Sequence, residues 1–434
     1  MSEPNLPLLQ TRRQFLRTSL MGAAATLTIP VFLQKTFAAM DEAALNSAVQ
    51  VSTGRDGTIL VVLQMGGGND GLNTLVPYAD DAYYRARPVI GLPADKVLRL
   101  NDYLGLHPRL TPLKELYDAG HVAIMQGVGY PNPNRSHFRA MEIWQTASDA
   151  DRFERYGWIG RYFDSECQGA DPLVGLAVSG NMPQAFSSKS QKGVAFSNPE
   201  QYRWKADGQD RAADSVFAQA NHLDEHAGAS IGMLGETIHT ELNAVEYLRR
   251  VAVDAQVSSA RVRSLASKTK VSPDYPPGQL GRSLHLVARM IEEGMPTRIY
   301  YVNQGGYDTH RDQLGSHAGL MGDLAAAIAA FCRDLKAQGN FDRVILMTFS
   351  EFGRRVKENA SGGTDHGAAG PMFVVGGKVK AGLFGQAPSL TDLHQGDLKY
   401  QIDFRSVYAT LIDKHLGGAS RKVLGRQYPV LSFV

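Results

Sequence analysis

The chain has 434 residues, of which 43% are hydrophobic and 20% are charged. This is a globular composition, and the length suits one large domain with insertions or two domains. The 45 basic and 43 acidic side chains leave a formal net charge of +2. A balance this even gives no electrostatic basis for a nucleic-acid or acidic partner, and we expect no nucleic acid to bind.

The N-terminal segment has the three parts of an export signal. Two arginines stand in "TRRQFLR", the apolar stretch "TSLMGAAATLTIPVFL" follows, and small residues surround Ala38 and Ala39. The arginine pair predicts the twin-arginine route, with a plain secretion signal or a single membrane anchor as the alternative. We therefore predict a twin-arginine signal peptide over residues 1–39 and a polar linker over 40–57.

This signal predicts a periplasmic or secreted mature protein, with the twin-arginine translocase as its partner during export. No later segment has the apolar character that we expect of a transmembrane helix, so we predict that the mature protein is not transmembrane. The two cysteines, Cys167 and Cys332, leave a disulfide open, and the apolar helical pattern around Cys332 favours a buried thiol.

Strand and helix patterns alternate along the mature chain. Continuous apolar runs predict buried strands at 58–65, 121–130, 173–180, 298–303, 343–349 and 372–377. Helical patterns lie between them, including a long one over 314–338 and a closing one that ends at Gly417. Residues from about 208 to 270 predict a helical insertion. The alternation predicts an α/β domain over 58–434, with a doubly wound, mostly parallel sheet and helices on both faces.

Polar residues follow four of the predicted strands. In open α/β sheets, ligands bind beyond the carboxyl ends of the strands, so these loops are candidates for one shared site. In chain order, the candidate residues are Asp70 after the first strand, Ser136 and His137 after the second, Asp308 and His310 in "GGYDTH", Glu351 and Arg354 after the strand at 343–349, and Asp365 and His366 in "GTDHG".

The first two loops each allow two interpretations. Asp70 is either a metal ligand or the cap of the next helix. Ser136 is either the N-cap of a helix or a nucleophile at the positive end of that helix, where an incoming anion is held. His137 beside it is a candidate ligand or base.

The later loops carry the stronger metal signal. An aspartate and a neutral imidazole two residues apart suit zinc or manganese, although the same pair can brace a loop by a hydrogen bond. Glu351 either coordinates metal or forms an ion pair with Arg354. The candidate ligands for a divalent ion (zinc, manganese or calcium) are therefore Asp70, Asp308, His310, Glu351, Asp365 and His366.

Five motifs resemble one bacterial family, the domain-of-unknown-function 1501 family, over residues from about 58 to 430; they are "LVVLQMGGGNDGLNTLVPY", "GVGYPNPNRSHFRAMEIWQT", "GGYDTHRDQ", "SEFGRR" and "GGTDHG". Members are typically exported by the twin-arginine route. The family is similar in fold to the alkaline phosphatase and sulfatase superfamily, whose enzymes use a Ser, Thr or modified Cys nucleophile at a metal site on phosphate or sulfate esters. The resemblance implies an alkaline phosphatase-like domain over 58–434.

The resemblance also implies roles for individual residues: Asp70 as the first metal aspartate, Ser136 as the nucleophile, Asp308 and His310 as the Asp-and-His loop, and His366 as the late histidine. The superfamily usually has an Asp-His pair after its penultimate core strand, where this chain has Glu351 and Phe352. One imidazole is thus missing from the expected place. The sulfatase signature is absent too, because neither cysteine is followed by a Pro-x-Arg pattern.

Two functional hypotheses follow. The first is an exported metal-dependent hydrolase of phosphate or sulfate esters, in which Ser136 attacks in line and Arg354 holds an ester oxygen. The second is a non-catalytic exported protein of the same fold that binds a cell-envelope partner. The retained aspartates and histidines favour the first, whose partner is a small-molecule ester, whereas the second binds an envelope partner or polymer. The change to Glu351 and Phe352 favours the second.

Overall fold

The structure is a computed structural model that describes residues 57–168, 170–189, 193–196 and 274–434, together with the single positions 54, 262, 264, 265 and 272. These residues belong to one compact unit formed by 51–204 and 251–434. A second unit comprises 1–50 and 205–250 and lies outside the described residues. The predicted signal peptide, nearly all of the linker and nearly all of the predicted helical insertion also lie outside them.

The described strands follow the predicted apolar runs, with short additions in loops. In chain order they are β1 (Ile59–Gly66), β2 (Leu75–Val76), β3 (Leu98–Arg99), β4 (Gly105–Leu106), β5 (Val122–Gly129), β6 (Gly175–Val178), β7 (Val194–Phe196), β8 (Ile299–Gly305), β9 (Val344–Phe349), β10 (Gly370–Gly376), β11 (Gly382–Phe384), β12 (Leu393–His394), β13 (Asp397–Leu398) and β14 (Ile402–Asp403).

The described helices lie between these strands. They are α1 (Gly71–Thr74), α2 (Asp81–Ala86), α3 (Thr111–Asp118), α4 (His137–Thr146), α5 (Trp158–Glu166), α6 (Gln279–Glu292), α7 (Gln313–Ala337), α8 (Phe404–Thr410), which continues as a π-helical turn over Leu411–His415, and α9 (Ser420–Leu424). Short 3₁₀ turns occur at Pro108–Leu110, Pro172–Val174, Gln184–Phe186 and Phe341–Arg343.

The central sheet has the order β11-β5-β10-β9-β1-β8-β6-β7, and β14 also pairs with β5. The pairs formed by β1, β8, β9, β6 and β7 are parallel, whereas β10 is antiparallel to both β5 and β9. The predicted α/β class with a mostly parallel sheet is confirmed. The antiparallel β10 follows from its connection, because residues 350–369 contain no helix that could carry a parallel crossover.

The core lies on both faces of this sheet. Along β1, Ile59, Val61 and Leu63 pack into one cluster with residues of α6 and α7, and Leu60 and Val62 pack into another with residues of α5 and α8. A strand buried on both faces needs apolar residues at successive positions, which is why these strands appear as unbroken apolar runs in the sequence. The helices therefore cover both faces, as predicted.

The two cysteines occupy these opposite clusters. Cys332 on α7 belongs to the first cluster, and Cys167, just after α5, belongs to the second. Both thiols are buried, and no disulfide joins them. Because the sheet lies between them, the disulfide that the sequence leaves open does not form in this fold.

Helix α7 is, by length and composition, apolar enough to cross a membrane, and among the described helices it alone passes that test. The expectation that no later segment is this apolar was therefore wrong for α7. Half of its most apolar window is buried inside the fold. A core helix with that burial passes the same test without spanning a membrane.

The strand directions bring the four polar loops to one edge of the sheet. β1, β8 and β9 are mutually parallel, and β5 has the same direction as β9 because both are antiparallel to β10. The carboxyl ends of these four strands therefore share an edge. β10 begins at that same edge, so the segment that precedes it also belongs there.

Candidate metal centre

Three imidazoles converge on one carboxylate oxygen at this edge. Oδ1 of Asp308 lies 3.0 Å from Nε2 of His310, 3.2 Å from Nε2 of His366 and 3.5 Å from Nε2 of His137. The Nε2 atoms of His310 and His366 are 2.9 Å apart. Ligands of a tetrahedral ion with bonds of 2.0–2.1 Å are roughly 3.3 Å apart. The ligand atoms of His137, Asp308 and His366 all lie within 4.8 Å of one another and could hold one ion. His310 adjoins this group through Asp308 and His366.

The opposite nitrogen of each imidazole contacts an acceptor. Nδ1 of His137 is 2.9 Å from Oε1 of Glu351, and Nδ1 of His310 is 3.2 Å from Oδ1 of Asp365. Nδ1 of His366 is 2.7 Å from the backbone oxygen of Arg135. A carbonyl oxygen only accepts, so Nδ1 of His366 carries a proton and its Nε2 presents a lone pair. Acceptors behind the ring are the usual support of a metal-binding imidazole.

Glu351 lies behind the imidazoles, where His137 and the first loop hold it. Its side chain accepts from the backbone N–H of Gly67 at 2.8 Å and from Oγ of Ser350 at 3.3 Å. Only 2% of the residue is exposed. Of the two roles predicted for Glu351, the ion pair with Arg354 is not formed, because Arg354 pairs with Asp308 instead.

Arg354 is hydrogen-bonded to several of the loops that form the centre. It is 1% exposed, and it donates to the carbonyl oxygens of Gly68, Tyr307 and Thr364 at 2.7–2.9 Å, and also to that of Gly67. Its Nη2 also donates to Oδ1 of Asp308 at 2.6 Å. The predicted contact with an ester oxygen needs an exposed donor. In the structure the guanidinium instead donates to protein oxygens.

The carboxylates of the centre are held in their charged form. Partial burial raises the pKa of Asp308, but the hydrogen bond and charge of Arg354, together with His366 and His310, lower it below its ordinary value. The hydrogen bond from Asn359 is the largest influence on Asp365, and with His310 it outweighs desolvation and lowers the pKa of that group. Both groups are therefore anionic at neutral pH, as a cation site requires.

Asp70 lies away from this cluster, in a fully buried polar network. Its Oδ1 caps α1 by accepting from the N–H of Leu72 at 3.2 Å, and its Oδ2 pairs with Nη1 of Arg87 at 2.6 Å. Gln313 also donates to Oδ2. Burial raises the pKa of Asp70, and the charge of Arg87 lowers it to a net value below the ordinary one. This geometry fits the interpretation of Asp70 as a helix cap. Arg87 is the cation with which Asp70 forms an ion pair.

Ser136 and His137 begin α4 beside the centre. Ser136 is the N-cap residue, but its side chain makes no capping hydrogen bond and is exposed. Its hydroxyl is therefore available to a ligand. His137 is the first helical residue and provides the third imidazole, from α4 rather than from the loop after β9. In that loop, the Phe352 ring packs against His137 and His366, with centroids 4.9 and 4.6 Å away.

Sequence reasoning missed three contributors: Arg87, Gln313 and the backbone oxygen of Arg135. Arg87 and Gln313 are 17 and 243 residues away from Asp70 along the chain. No motif or spacing marked them. A buried aspartate requires a buried partner, but the burial of Asp70 is known only from the structure.

A family model described as "Protein of unknown function (DUF1501)" matches residues 58–424. The chain belongs to the DUF1501 family. Family membership, predicted from the five motifs, is thus confirmed. A comparison with curated proteins finds no match for this DUF1501 chain.

Several solved structures resemble the DUF1501 chain distantly. A protein in the alkaline phosphatase superfamily from Vibrio parahaemolyticus is 11% identical, with 88% of this chain and 72% of that chain covered and a TM-score of 0.38. The PsFucS1 sulfatase from Pseudoalteromonas sp. is 10% identical, with coverage of 85% and 68% and a TM-score of 0.36. The lipoteichoic acid synthase LtaP from Listeria monocytogenes is 10% identical, with coverage of 81% and 75% and a TM-score of 0.32. Similarity at this level says nothing about the activity of the DUF1501 chain.

Proposed function

We propose that the chain is an exported, periplasmic or secreted hydrolase of phosphate or sulfate esters that depends on a divalent metal ion. The observation that carries this proposal is the convergence of three Nε2 atoms on Oδ1 of Asp308, while each Nδ1 contacts an acceptor. The proposed ligands are His137, Asp308, His310 and His366.

The donor set and its surroundings fit such an ion. Neutral imidazole nitrogens and one ionised carboxylate suit zinc or manganese. The side chains of Asp308 and His310 are 48% and 41% exposed, so a substrate can reach them from solvent. When bound there, a divalent ion polarises an ester oxygen and offsets negative charge on the transferred group.

The residues around the donors support the ester chemistry. α4 begins at the centre, and the N-terminus of a helix attracts phosphate and sulfate through its free N–H groups and its dipole. The Ser136 hydroxyl lies at that helix end and is not used for capping. In the proposed reaction, Oγ of Ser136 loses its proton to solvent and forms a bond to phosphorus or sulfur while the bond to the leaving alcohol breaks in line, and that alcohol takes a proton from solvent. A water molecule then attacks the same phosphorus or sulfur, the bond to Oγ breaks, and phosphate or sulfate leaves as the Ser136 hydroxyl is restored. Arg354 holds Asp308 in place and does not touch the substrate.

A non-catalytic role remains the second candidate, namely an exported protein of this fold that binds a cell-envelope partner. The observation in its favour is the burial of Arg354 and Asp70. Both are predicted site residues, yet other protein groups bind them, and neither faces solvent.

Metal analysis combined with an ester screen tests the proposal. We expect the mature protein, purified without chelator, to contain a divalent ion and to hydrolyse p-nitrophenyl phosphate or p-nitrophenyl sulfate. Ser136→Ala should retain the ion and lower kcat by at least roughly 1,000-fold, because the nucleophile is gone. His366→Ala should lose both the ion and the activity. Ser432→Ala, at an exposed serine near the C-terminus, serves as the control and should match the wild type.

Two results would contradict parts of this proposal. A wild-type protein that binds metal but cleaves neither ester would favour the binding-protein candidate. Full activity in Ser136→Ala would remove that residue from the chemistry.

A further inference from the structure

The chemistry and number of the donors at the centre limit which ion can bind. Three of the four converging atoms are imidazole nitrogens, and the fourth is one carboxylate oxygen. Calcium and magnesium bind oxygen ligands almost exclusively, about six to eight of them for calcium and six for magnesium. Imidazole nitrogen suits zinc and its neighbours in the first transition row. The centre therefore has too few oxygen donors for calcium or magnesium.

The remaining carboxylates cannot supply the missing oxygens in this arrangement. Glu351 is bound by Nδ1 of His137 and the N–H of Gly67, and Asp365 by Nδ1 of His310 and by Asn359. Each stands on the far side of an imidazole. Asp70 is neutralised by Arg87 in the buried network. A second ion about 3.5–4 Å from the first would need ligands of its own, and these carboxylates are already occupied.

Glu351 is the most firmly fixed of the supporting groups. It is 2% exposed, and it contacts the loop after β1, Ser350 and His137 on α4. A carboxylate fixed 2.9 Å from Nδ1 of His137 favours the tautomer with the proton on Nδ1, so Nε2 keeps its lone pair and faces Asp308. Glu351 thus acts on an ion through His137 and does not contact the ion itself.

We infer that the centre takes one four-coordinate ion of the zinc class, bound by His137, His310, His366 and Asp308, that it rejects calcium and magnesium, and that Glu351 is a positioning residue for His137. The inference rests on the metal centre of the proposed function but is independent of ester hydrolysis.

Metal titration of the chelator-treated mature protein tests this inference without any activity assay. We expect one equivalent of Zn²⁺ to bind, and one equivalent of Co²⁺ to give the intense visible absorption of a four-coordinate site. Millimolar Ca²⁺ or Mg²⁺ should not displace either ion. Glu351→Gln should still bind one equivalent with the same cobalt spectrum, but its Zn²⁺ affinity should fall about 10–100-fold, as for other supporting groups of metal ligands. His137→Ala should change the spectrum itself.

Glu358→Gln is the matched control, because Glu358 belongs to the same loop and accepts backbone N–H groups of Val89 and Ile90 outside the centre. Its Zn²⁺ affinity should equal that of the wild type. Asp365→Asn tests the same support through His310, at a carboxylate that is 57% exposed, and it therefore covers the case in which Glu351→Gln fails to fold.

Several outcomes would overturn the inference: no bound Zn²⁺, two bound equivalents, competition by millimolar Ca²⁺, unchanged Zn²⁺ affinity in folded Glu351→Gln (or in Asp365→Asn if Glu351→Gln does not fold), or a changed cobalt spectrum in Glu351→Gln. Ester hydrolysis with such a result would leave the proposed function standing. One zinc-class ion without hydrolysis of any ester would leave this inference standing and remove the proposed function.

Discussion

The buried ion pair of Asp70 and Arg87 shows how one aspartate can stabilise the fold without being a ligand. Both side chains are completely buried, and Nη1 of Arg87 is 2.6 Å from Oδ2 of Asp70. Gln313 joins Asp70 to the loops of the centre, because Gln313 accepts from Thr309 and Thr364 while it donates to Asp70. Through Gln313, Asp70 is therefore connected to the loops of the candidate metal centre.

Replacing Asp70 by alanine should leave the Arg87 charge buried without its partner. We expect Asp70→Ala to lower the free energy of unfolding by about 3–5 kcal/mol, as measured by urea denaturation. Asp171→Ala is the control, because Asp171 also begins a helical turn and accepts from the N–H two residues on. Loss of that cap alone should cost about 1 kcal/mol. Equal losses in the two variants would show that the ion pair adds nothing beyond the cap.

The backbone of the loop after β1 lies very close to the backbone of the loop after β8. Gly67 has a φ of 121°, and a Cβ at this position would lie 2.4 Å from the backbone nitrogen of Asp308. The carbonyl of Gly66 also accepts from the N–H of Tyr307 at 3.1 Å. The two loops thus meet at the backbone level, next to the carboxylate of the metal centre.

Gly67→Ala should therefore strain the backbone and displace Asp308. Gly120, in the turn before β5, is the matched control, because its φ is 86° and nothing lies within 4 Å of an added Cβ. We expect Gly120→Ala to cost about 1–2 kcal/mol of stability from backbone conformation alone, without an effect on metal. Gly67→Ala should cost more and should weaken Zn²⁺ binding. Equal thermal shifts with unchanged Zn²⁺ affinity would mean that the close approach does not position Asp308.

At this scale the sequence predicted the strands better than the side-chain contacts. Runs apolar on both faces marked the core strands, and their carboxyl ends marked the edge where polar loops meet. The antiparallel direction of β10 was not encoded in its own residues, because it depends on the helix-free connection over 350–369. The orientation of the Glu351 side chain, towards an ion or towards an imidazole, depends on the backbone of its loop. Loops have no sequence periodicity from which that orientation could be predicted. The contact between Asp70 and Arg87 depends on the tertiary fold, so no local sequence pattern predicts it.

In the part of the chain that the structure describes, three histidines are buried and oppose protonation. Burial is the main cause of the low pKa in each case: about 3 for His107, about 4 for His317 and about 4 for His415. His107 and His317 lie beside the Asp70 network, whereas His415 is distant from it and has Nε2 2.9 Å from the carbonyl oxygen of Ile59. Each ring remains neutral in the folded protein at pH values where the unfolded chain binds a proton.

The folded protein should therefore lose stability as pH falls below about 6.5, the ordinary pKa of histidine. The folded-state pKa values lie below the unfolded ones, so this contribution is complete above pH 6.5 and is lost as pH falls towards 4. Three such groups give a slope of up to about 4 kcal/mol per pH unit. His415→Gln keeps a donor for Ile59 and should reduce the slope by about a third, as measured by urea unfolding at pH 7 and pH 5. His394→Gln, at an exposed histidine on β12, should leave it unchanged. A slope in His415→Gln equal to that of the wild type would show that His415 can be protonated within the fold, and acid sensitivity would then have to come from the two histidines beside Asp70.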